Sequence, residues 1–204
     1  MKLYFSPGAC SLASRIVACE AGLAIDCDKV DLKTRVTASG RDFSRINPKG
    51  HVPALALDDG EVLTEGVVIL QYLADQAPET GLMPETGCRE RYRVQEWLSF
   101  ISVEIYKGFA PLWTPATPDV ARRMAVEDLH RHFGYIDGHL EGRSYLMGER
   151  YTVADAYCFT VLNWTGFHRI DLSAYPRLVA FMDRVAARPK VREALKAEGL
   201  LRVA

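Results

Sequence analysis

The feature that most constrains this chain is a change of texture at "APETGLMPETG", residues 77–87. Ahead of it, short apolar runs alternate with helix-period segments and turn residues. Behind it, every long segment repeats its apolar residues at intervals of three and four. A mixed pattern followed by a purely helical one predicts two subdomains, α/β and then all-α. With 204 residues, 49% of them hydrophobic, the chain is long enough for each part to bury a core. The reading places a mixed domain at 1–77, a linker at 78–87 and an all-helical domain at 88–204. The doubled "PETG" is too short to be a repeat architecture.

Within the first part the order reads β-α-β-α-β-β-α. "KLYF" is a short strand stopped by Pro7-Gly8, and "SLASRIVACEAGL" a helix carrying Leu12, Ile16 and Val17 and ended by Gly22. "DCDKVDL" alternates as an edge strand would. "RDFSRINPKG" reads as a short irregular helix closed by Pro48 and Gly50. "VPALAL" and "EVL" flank Asp58-Asp59-Gly60, the signature of a hairpin. "EGVVILQYLADQ" sets Val67, Leu70, Tyr72 or Leu73, and Ala74 on one helical side. In the second part "TVADAYCFTVLNWTGF" is almost wholly apolar and belongs in the middle of a bundle. It opens with Thr152 and Asp155 at capping-box spacing. Pro118-Asp119 and Pro176 mark two further helix starts.

Composition narrows function mainly by exclusion. A formal net charge of −1 gives no electrostatic reason to expect nucleic acid or an anionic membrane. No apolar run approaches the ~18 residues of a membrane span, and Pro7 breaks the N-terminal stretch too early for a signal peptide. The five cysteines, Cys10, Cys19, Cys27, Cys88 and Cys158, show neither C-x-x-C nor zinc-ligand spacing. No metal is expected, and a reducing cytoplasm suits the chain. His130, His132 and His139 form no metal spacing and read as a solvated helix face.

Four segments carry a resemblance: "PGACSLAS", "NPKGHVPAL", "LTEGVVILQYLAD" and "YTVADAY". In that order and at those intervals the chain resembles the cytosolic glutathione S-transferases of the bacterial beta class over nearly its whole length. The resemblance implies a thioredoxin-like N-terminal domain (βαβαββα), an all-helical C-terminal domain, a homodimer, and glutathione as a substrate beside a small apolar electrophile. It implies that Val52 pairs its N–H and C=O with the tripeptide's cysteine, with Val52–Pro53 cis. It also implies that Glu65 takes the γ-glutamyl amine and that the Gly66 N–H, at a helix start, receives the carboxylate. Where the family usually carries a small hydroxyl residue, this chain has Gly66, which keeps the backbone donor only. Arg35 stands where a basic residue reaches the glycine carboxylate. Ser99 stands where a dimer mate often contributes Asn. Val103 and Lys107 complete the glutathione contacts implied on the first long helix of the helical half.

Cys10 begins a helix. Free N–H groups and the helix dipole there favour a thiolate, whereas a thiol packed into a core is a small hydrophobe. The resemblance favours the first reading and adds a mixed disulfide with glutathione. Ser11 is the rival: its hydroxyl donates to the glutathione sulfur, caps the helix, or both. Tyr106 replaces the family's usual His. Tyrosine, with an ordinary pKa near 10, donates one hydrogen bond but is a poor base near neutrality. Phe109, Trp113, Trp164 and Phe167 are candidate walls for the apolar substrate, with Trp164 better read as core. Three functions compete: a glutathione transferase, a glutathione-dependent disulfide reductase using Cys10, and a non-catalytic glutathione-fold carrier.

Overall fold

Strand β1 (Lys2–Phe5) is the centre around which the first part of the chain is built. In the computed structural model, which describes residues 1–201, it pairs parallel to β2 (Asp26–Asp31) and antiparallel to β4 (Ala54–Ala56). A parallel pair needs a crossover, and α1 (Ser11–Glu20) supplies it. The two-residue β3 (Val36–Thr37) pairs with the outer side of β2, and β5 (Val62–Thr64) with β4, giving the order β3-β2-β1-β4-β5. Register aligns Leu3 with Leu55, and both are fully buried. Tyr4, Val30, Phe43, Val52 and Ala54 form a second buried cluster. α2 (Gly66–Asp75) buries Ile69, Leu70, Leu73 and Ala74.

Two local expectations change. β2 is not an edge strand, because β3 pairs Thr37 with Val30 and closes its outer side. The second helix of the expected order shrinks to one 3₁₀ turn, Phe43–Arg45. Asp42 starts that turn by accepting the Ser44 N–H at 2.9 Å. Asn47 then diverts the chain by donating to the His51 carbonyl at 2.7 Å.

Two compact units result: Met1–Glu85 together with the segment from Ala187 onward, and Thr86–Ala186. The sequence reading gave the all-helical domain everything from 88 to 204; among the described residues, the stretch from 187 to 201 groups with the mixed unit, and residues 202–204 lie outside the described residues. α9 (Pro189–Ala197) is amphipathic, as its sequence suggests, but its apolar side is taken by α1. Charged clamps fix the pairing. Arg188 donates from Nε and Nη2 to the two Glu20 oxygens at 2.7 and 2.8 Å. At the other end Glu198 accepts from Arg15 Nε and from the Gly8 N–H, each at 3.0 Å.

The second unit is helical. α3 (Arg89–Phe100) runs on into a π-register turn, Ile101–Tyr106, a 3₁₀ turn, Lys107–Phe109, and the short α4 (Ala110–Trp113). α5 (Asp119–His139) follows, then α6 (Val153–Leu162), α7 (Trp164–His168) and α8 (Pro176–Ala186). Every residue of α6 is buried, as its unbroken apolar run requires. Its capping box is formed: the Thr152 N–H donates to the Asp155 carboxylate at 2.8 Å, and the same carboxylate accepts the Leu146 N–H at 2.8 Å. Asp137 on α5 caps α8 by accepting the N–H groups of Arg177 and Leu178 at 2.8 and 3.0 Å. Among the described residues no helix is long and apolar enough to cross a membrane.

Candidate functional site

Cys10 is placed by the turn that joins β1 to α1. The Ala9 N–H donates to the Ser6 carbonyl at 3.1 Å, and Gly8 takes the left-handed backbone (φ +71°) that the reversal needs. The helix starts at Ser11, so Cys10 occupies the N-cap position and is partly exposed. Its Sγ–H donates to the Val52 carbonyl at 3.1 Å. One contact thus joins the thiol of the first motif to the backbone of the second. Ser11 is turned away from any such role. It is wholly buried, and its hydroxyl accepts the Ser6 N–H and donates to the Ser6 carbonyl, both at 3.2 Å. Its hydroxyl fastens the turn from within; it makes no side-chain cap on α1.

Val52 is buried and its bond to Pro53 is cis. Pro53 faces the start of α2: a Cβ at Gly66 would lie 3.7 Å from Pro53 Cγ, an ordinary contact. The turn residue before α2 is Glu65, which holds φ +69°, a conformation L residues rarely adopt. Its exposed carboxylate accepts from Lys49 Nζ at 2.7 Å, and Lys49 also donates to Thr64 Oγ1 at 2.9 Å. Arg35, also at positive φ, lays its guanidinium over Gly50, where any side chain would collide with it. The first unit thereby gathers Cys10, Val52, Pro53, Glu65 and Gly66, with Arg35 on the Gly50 side of the same loop. Two cations, Arg35 and Lys49, flank that loop.

Ser99, Val103, Tyr106 and Lys107 all stand in the second unit. Ser99, Val103 and Lys107 are exposed, and Tyr106 is half-buried. Tyr106 closes the π-register turn, and such turns recur at functional sites. Its ring lies 5.4 Å from that of Trp164, and Lys107 Nζ sits 5.8 Å from the Tyr106 centroid. The aromatic candidates divide. Phe109 and Trp164 are buried, while Trp113 and Phe167 stand out at 45% and 78% exposure with their rings 5.5 Å apart.

Lys49 and His168 were not singled out from the sequence. Lys49 sits inside "NPKGHVPAL", but no spacing rule says that it folds back onto Glu65. His168 packs edge-on to Trp113 at 4.3 Å, and its Nε2 is buried with no hydrogen-bond partner. Burial, aided by the Arg122 charge, lowers its pKa. The other histidines are corrected. His130 Nδ1 pairs with the Tyr175 hydroxyl at 3.0 Å, His139 Nε2 with the Leu146 carbonyl at 2.9 Å, and the His132 ring packs against Phe100. They are partly buried and partnered, not a solvated face. Among the described residues no group of three or more His, Cys, Asp or Glu is arranged to hold a metal ion.

The chain is similar in sequence and in fold to known proteins. Residues 8–76 match the family model described as glutathione S-transferase, N-terminal domain, and residues 100–189 the one described as glutathione S-transferase, C-terminal domain. The chain is 44% identical over 200 residues to glutathione S-transferase GstA of Escherichia coli O157:H7, covering 98% of this chain and 100% of that protein. It superposes on a sphingomonad glutathione S-transferase solved in complex with glutathione with a TM-score of 0.95, at 48% identity, covering 98% of this chain and 100% of that one. The bacterial beta class glutathione S-transferase of Sphingomonas chungbukensis gives a TM-score of 0.95 at 49% identity, with the same coverage of 98% and 100%. The four motifs, the five-stranded mixed sheet with its helical companion unit, and this likeness over the full length have one meaning: the chain belongs to the glutathione S-transferase family, alongside its bacterial beta-class members.

Proposed function

We propose that the protein conjugates glutathione to small apolar electrophiles, and that the tripeptide lies along the Val52 backbone in the first unit. The observation that carries this reading is the 3.1 Å contact between Cys10 Sγ and the Val52 carbonyl, because it puts a thiol at the strand edge where a cysteinyl backbone would pair. Val52 offers N–H and C=O. The Gly66 N–H at the head of α2 donates to an anion, and the Glu65 carboxylate beside it accepts from an ammonium. Arg35 and Lys49 balance the tripeptide's remaining carboxylate. The family resemblance adds Tyr106 as a hydrogen-bond donor to the sulfur, Val103 and Lys107 as further contacts, and Ser99 as a contact contributed by the dimer mate. In the reaction the glutathione thiol gives its proton to solvent. The thiolate attacks carbon, a C–S bond forms, and the leaving group departs with its electron pair. Trp113 and Phe167 offer exposed apolar surface for the electrophile.

The position of Cys10 at a helix start favours a second reaction on the same residues. As a thiolate it attacks glutathione disulfide, the S–S bond breaks, a mixed disulfide with Cys10 forms, and one glutathione thiolate leaves. The working form is a homodimer in a reducing cytoplasm. Five cysteines, none of them in a disulfide, suit that compartment. An aromatic groove of about 730 Å³ between α3 and α5, lined by Trp97, Phe100, His132 and Tyr135, suits a subunit contact.

The test is titration calorimetry of the reduced protein with glutathione, followed by turnover on a chloronitrobenzene. Saturable heat and turnover are expected, and absence of heat ends the reading. Heat without turnover on a broad electrophile panel makes the protein a carrier. Cys10→Ala separates the two reactions: it abolishes disulfide exchange and leaves conjugation measurable.

A further inference from the structure

The turn that places Cys10 is held by a residue from the far end of the described chain. Three of the attachments that hold Ser6–Cys10 bear on its placement. The Ser11 hydroxyl grips Ser6, and the Ala9 N–H closes on the Ser6 carbonyl; both are local. The third is the Gly8 N–H donating to Glu198 Oε2 at 3.0 Å, across 190 positions of sequence. The Glu198 side chain is wholly buried. Its other oxygen accepts Arg15 Nε at 3.0 Å, and the Arg15 guanidinium lies over the Phe5 ring at 4.2 Å. Leu200, just beyond, packs against Gly8: a Cβ there would meet the Leu200 side chain at 3.6 Å. A buried carboxylate whose oxygens go to one cation and one main-chain N–H is an expensive arrangement. It is tolerated only where both partners are held in place. Here the main-chain partner is two residues from the reactive thiol, and the cation is on the helix which that thiol begins.

We infer that Glu198 is a positioning residue for the glutathione reaction: through the Gly8 N–H it fixes the Ser6–Cys10 turn and hence the Cys10 sulfur against the Val52 backbone. Its bond to Arg15 does separate work, joining α9 to α1 and stabilising the unit. The two bonds therefore predict different losses. Placement of reacting groups is sensitive to small displacements, so freeing the turn is expected to lower the rate of Cys10 alkylation and raise the glutathione KM by about tenfold. Losing the ion pair alone is expected to lower stability and leave both rates near their original values.

This inference rests on the proposed glutathione site, and the experiment keeps the two apart. Calorimetry of the unaltered protein with glutathione judges the site. Glu198→Ala, Glu198→Gln and Arg15→Gln judge the role of Glu198, each assayed for urea stability, for alkylation of Cys10 by iodoacetamide followed by peptide mapping, and for glutathione KM and kcat. The Gln side chain keeps an oxygen for Gly8 but loses the charge that pairs with Arg15. The expected pattern is that all three lose stability, that only Glu198→Ala alkylates more slowly and shows a raised KM, and that Glu198→Gln keeps both close to their original values. Alkylation and KM that follow stability across the three variants, or that stay within twofold of the original in Glu198→Ala, overturn the inference. Should Glu198→Ala not fold, Glu198→Gln against Arg15→Gln still decides it. Hydrogen exchange at Gly8 must then remain protected in both variants, and rapid exchange with unchanged KM overturns the assignment.

Discussion

Lys49 Nζ lies 2.7 Å from Glu65 Oε1, so the carboxylate proposed to receive the tripeptide's amine is paired with a cation of its own chain. Both side chains are more than half exposed, so the pair contributes little to stability. The notable property of Glu65 is its backbone, at φ +69° and ψ 114°. A non-glycine residue there stores strain of about 1–3 kcal/mol. Glu65→Gly is therefore expected to raise stability by about 1 kcal/mol while weakening glutathione binding about tenfold or more, the loss expected of a charge-assisted bond. Urea unfolding and calorimetry on the same preparation read both signs. A variant that loses stability, or that binds as before, contradicts this account of the turn.

Gly66 tests the opposite direction. A Cβ at this position meets Pro53 Cγ at 3.7 Å, ordinary contact, and Gly66 is not among the left-handed glycines. Gly66→Ser therefore fits without displacement and adds a hydroxyl beside the N–H proposed to bind the γ-glutamyl carboxylate. One added hydrogen bond is worth about 1 kcal/mol, a gain of about fivefold in affinity. An unchanged Kd in calorimetry means that the carboxylate does not lie at the head of α2.

The buried Asp155 makes a pH prediction. Burial outweighs its hydrogen bonds from Leu146 and Thr152 and pushes its pKa up from 3.8 to about 6. The folded state thus holds this proton more tightly than the unfolded one. The stabilisation is fully present below about pH 4 and is lost as pH rises through about 6, by roughly 3 kcal/mol in total. Asp31, Asp42 and Asp171, whose pKa values are lowered by their own hydrogen bonds, act with the opposite sign. Comparison with Asp155→Asn cancels them. The stability of the original protein relative to Asp155→Asn is expected to fall between pH 4 and 7, and parallel curves would show that Asp155 does not titrate there.

Thiol chemistry should separate the cysteines. Cys158 is buried and its pKa is pushed well above the ordinary thiol value, chiefly by loss of water; burial raises Cys19 in the same direction. Thiolate fraction governs alkylation, so iodoacetamide at pH 7 is expected to label Cys10 at least about tenfold faster than either. Saturating S-methylglutathione, which has no free thiol, is expected to suppress the Cys10 signal alone. Labelling of Cys158 ahead of Cys10 in the folded protein counts against the helix-start placement.

Much of this architecture is legible in the sequence because it rests on local rules. The Asp58-Asp59-Gly60 hairpin, the Thr152–Asp155 capping box and the wholly buried α6 each follow from residues a few positions apart. "RDFSRINPKG" misleads as a helix because Asp42 and Asn47 spend their side chains on turn bonds, a competition that apolar periodicity does not register. β3 is missed because two residues carry no period. The histidines of α5 look solvated because their partners, Tyr175 and Leu146, come from other parts of the chain.

The sequence by itself determined the division into a mixed and a helical part, the order of the long elements, and the family, since all of these are written in periodicity and in motifs that do not depend on distant contacts. Only the tertiary structure decided that α9 returns to α1, that Lys49 reaches Glu65, that Ser11 is locked inside its own turn, and that Glu198 grips Gly8. Each is a pairing between side chains and backbone groups brought together by folding, and the energy of such a pairing depends on burial and distance, quantities that a linear string of residues does not contain.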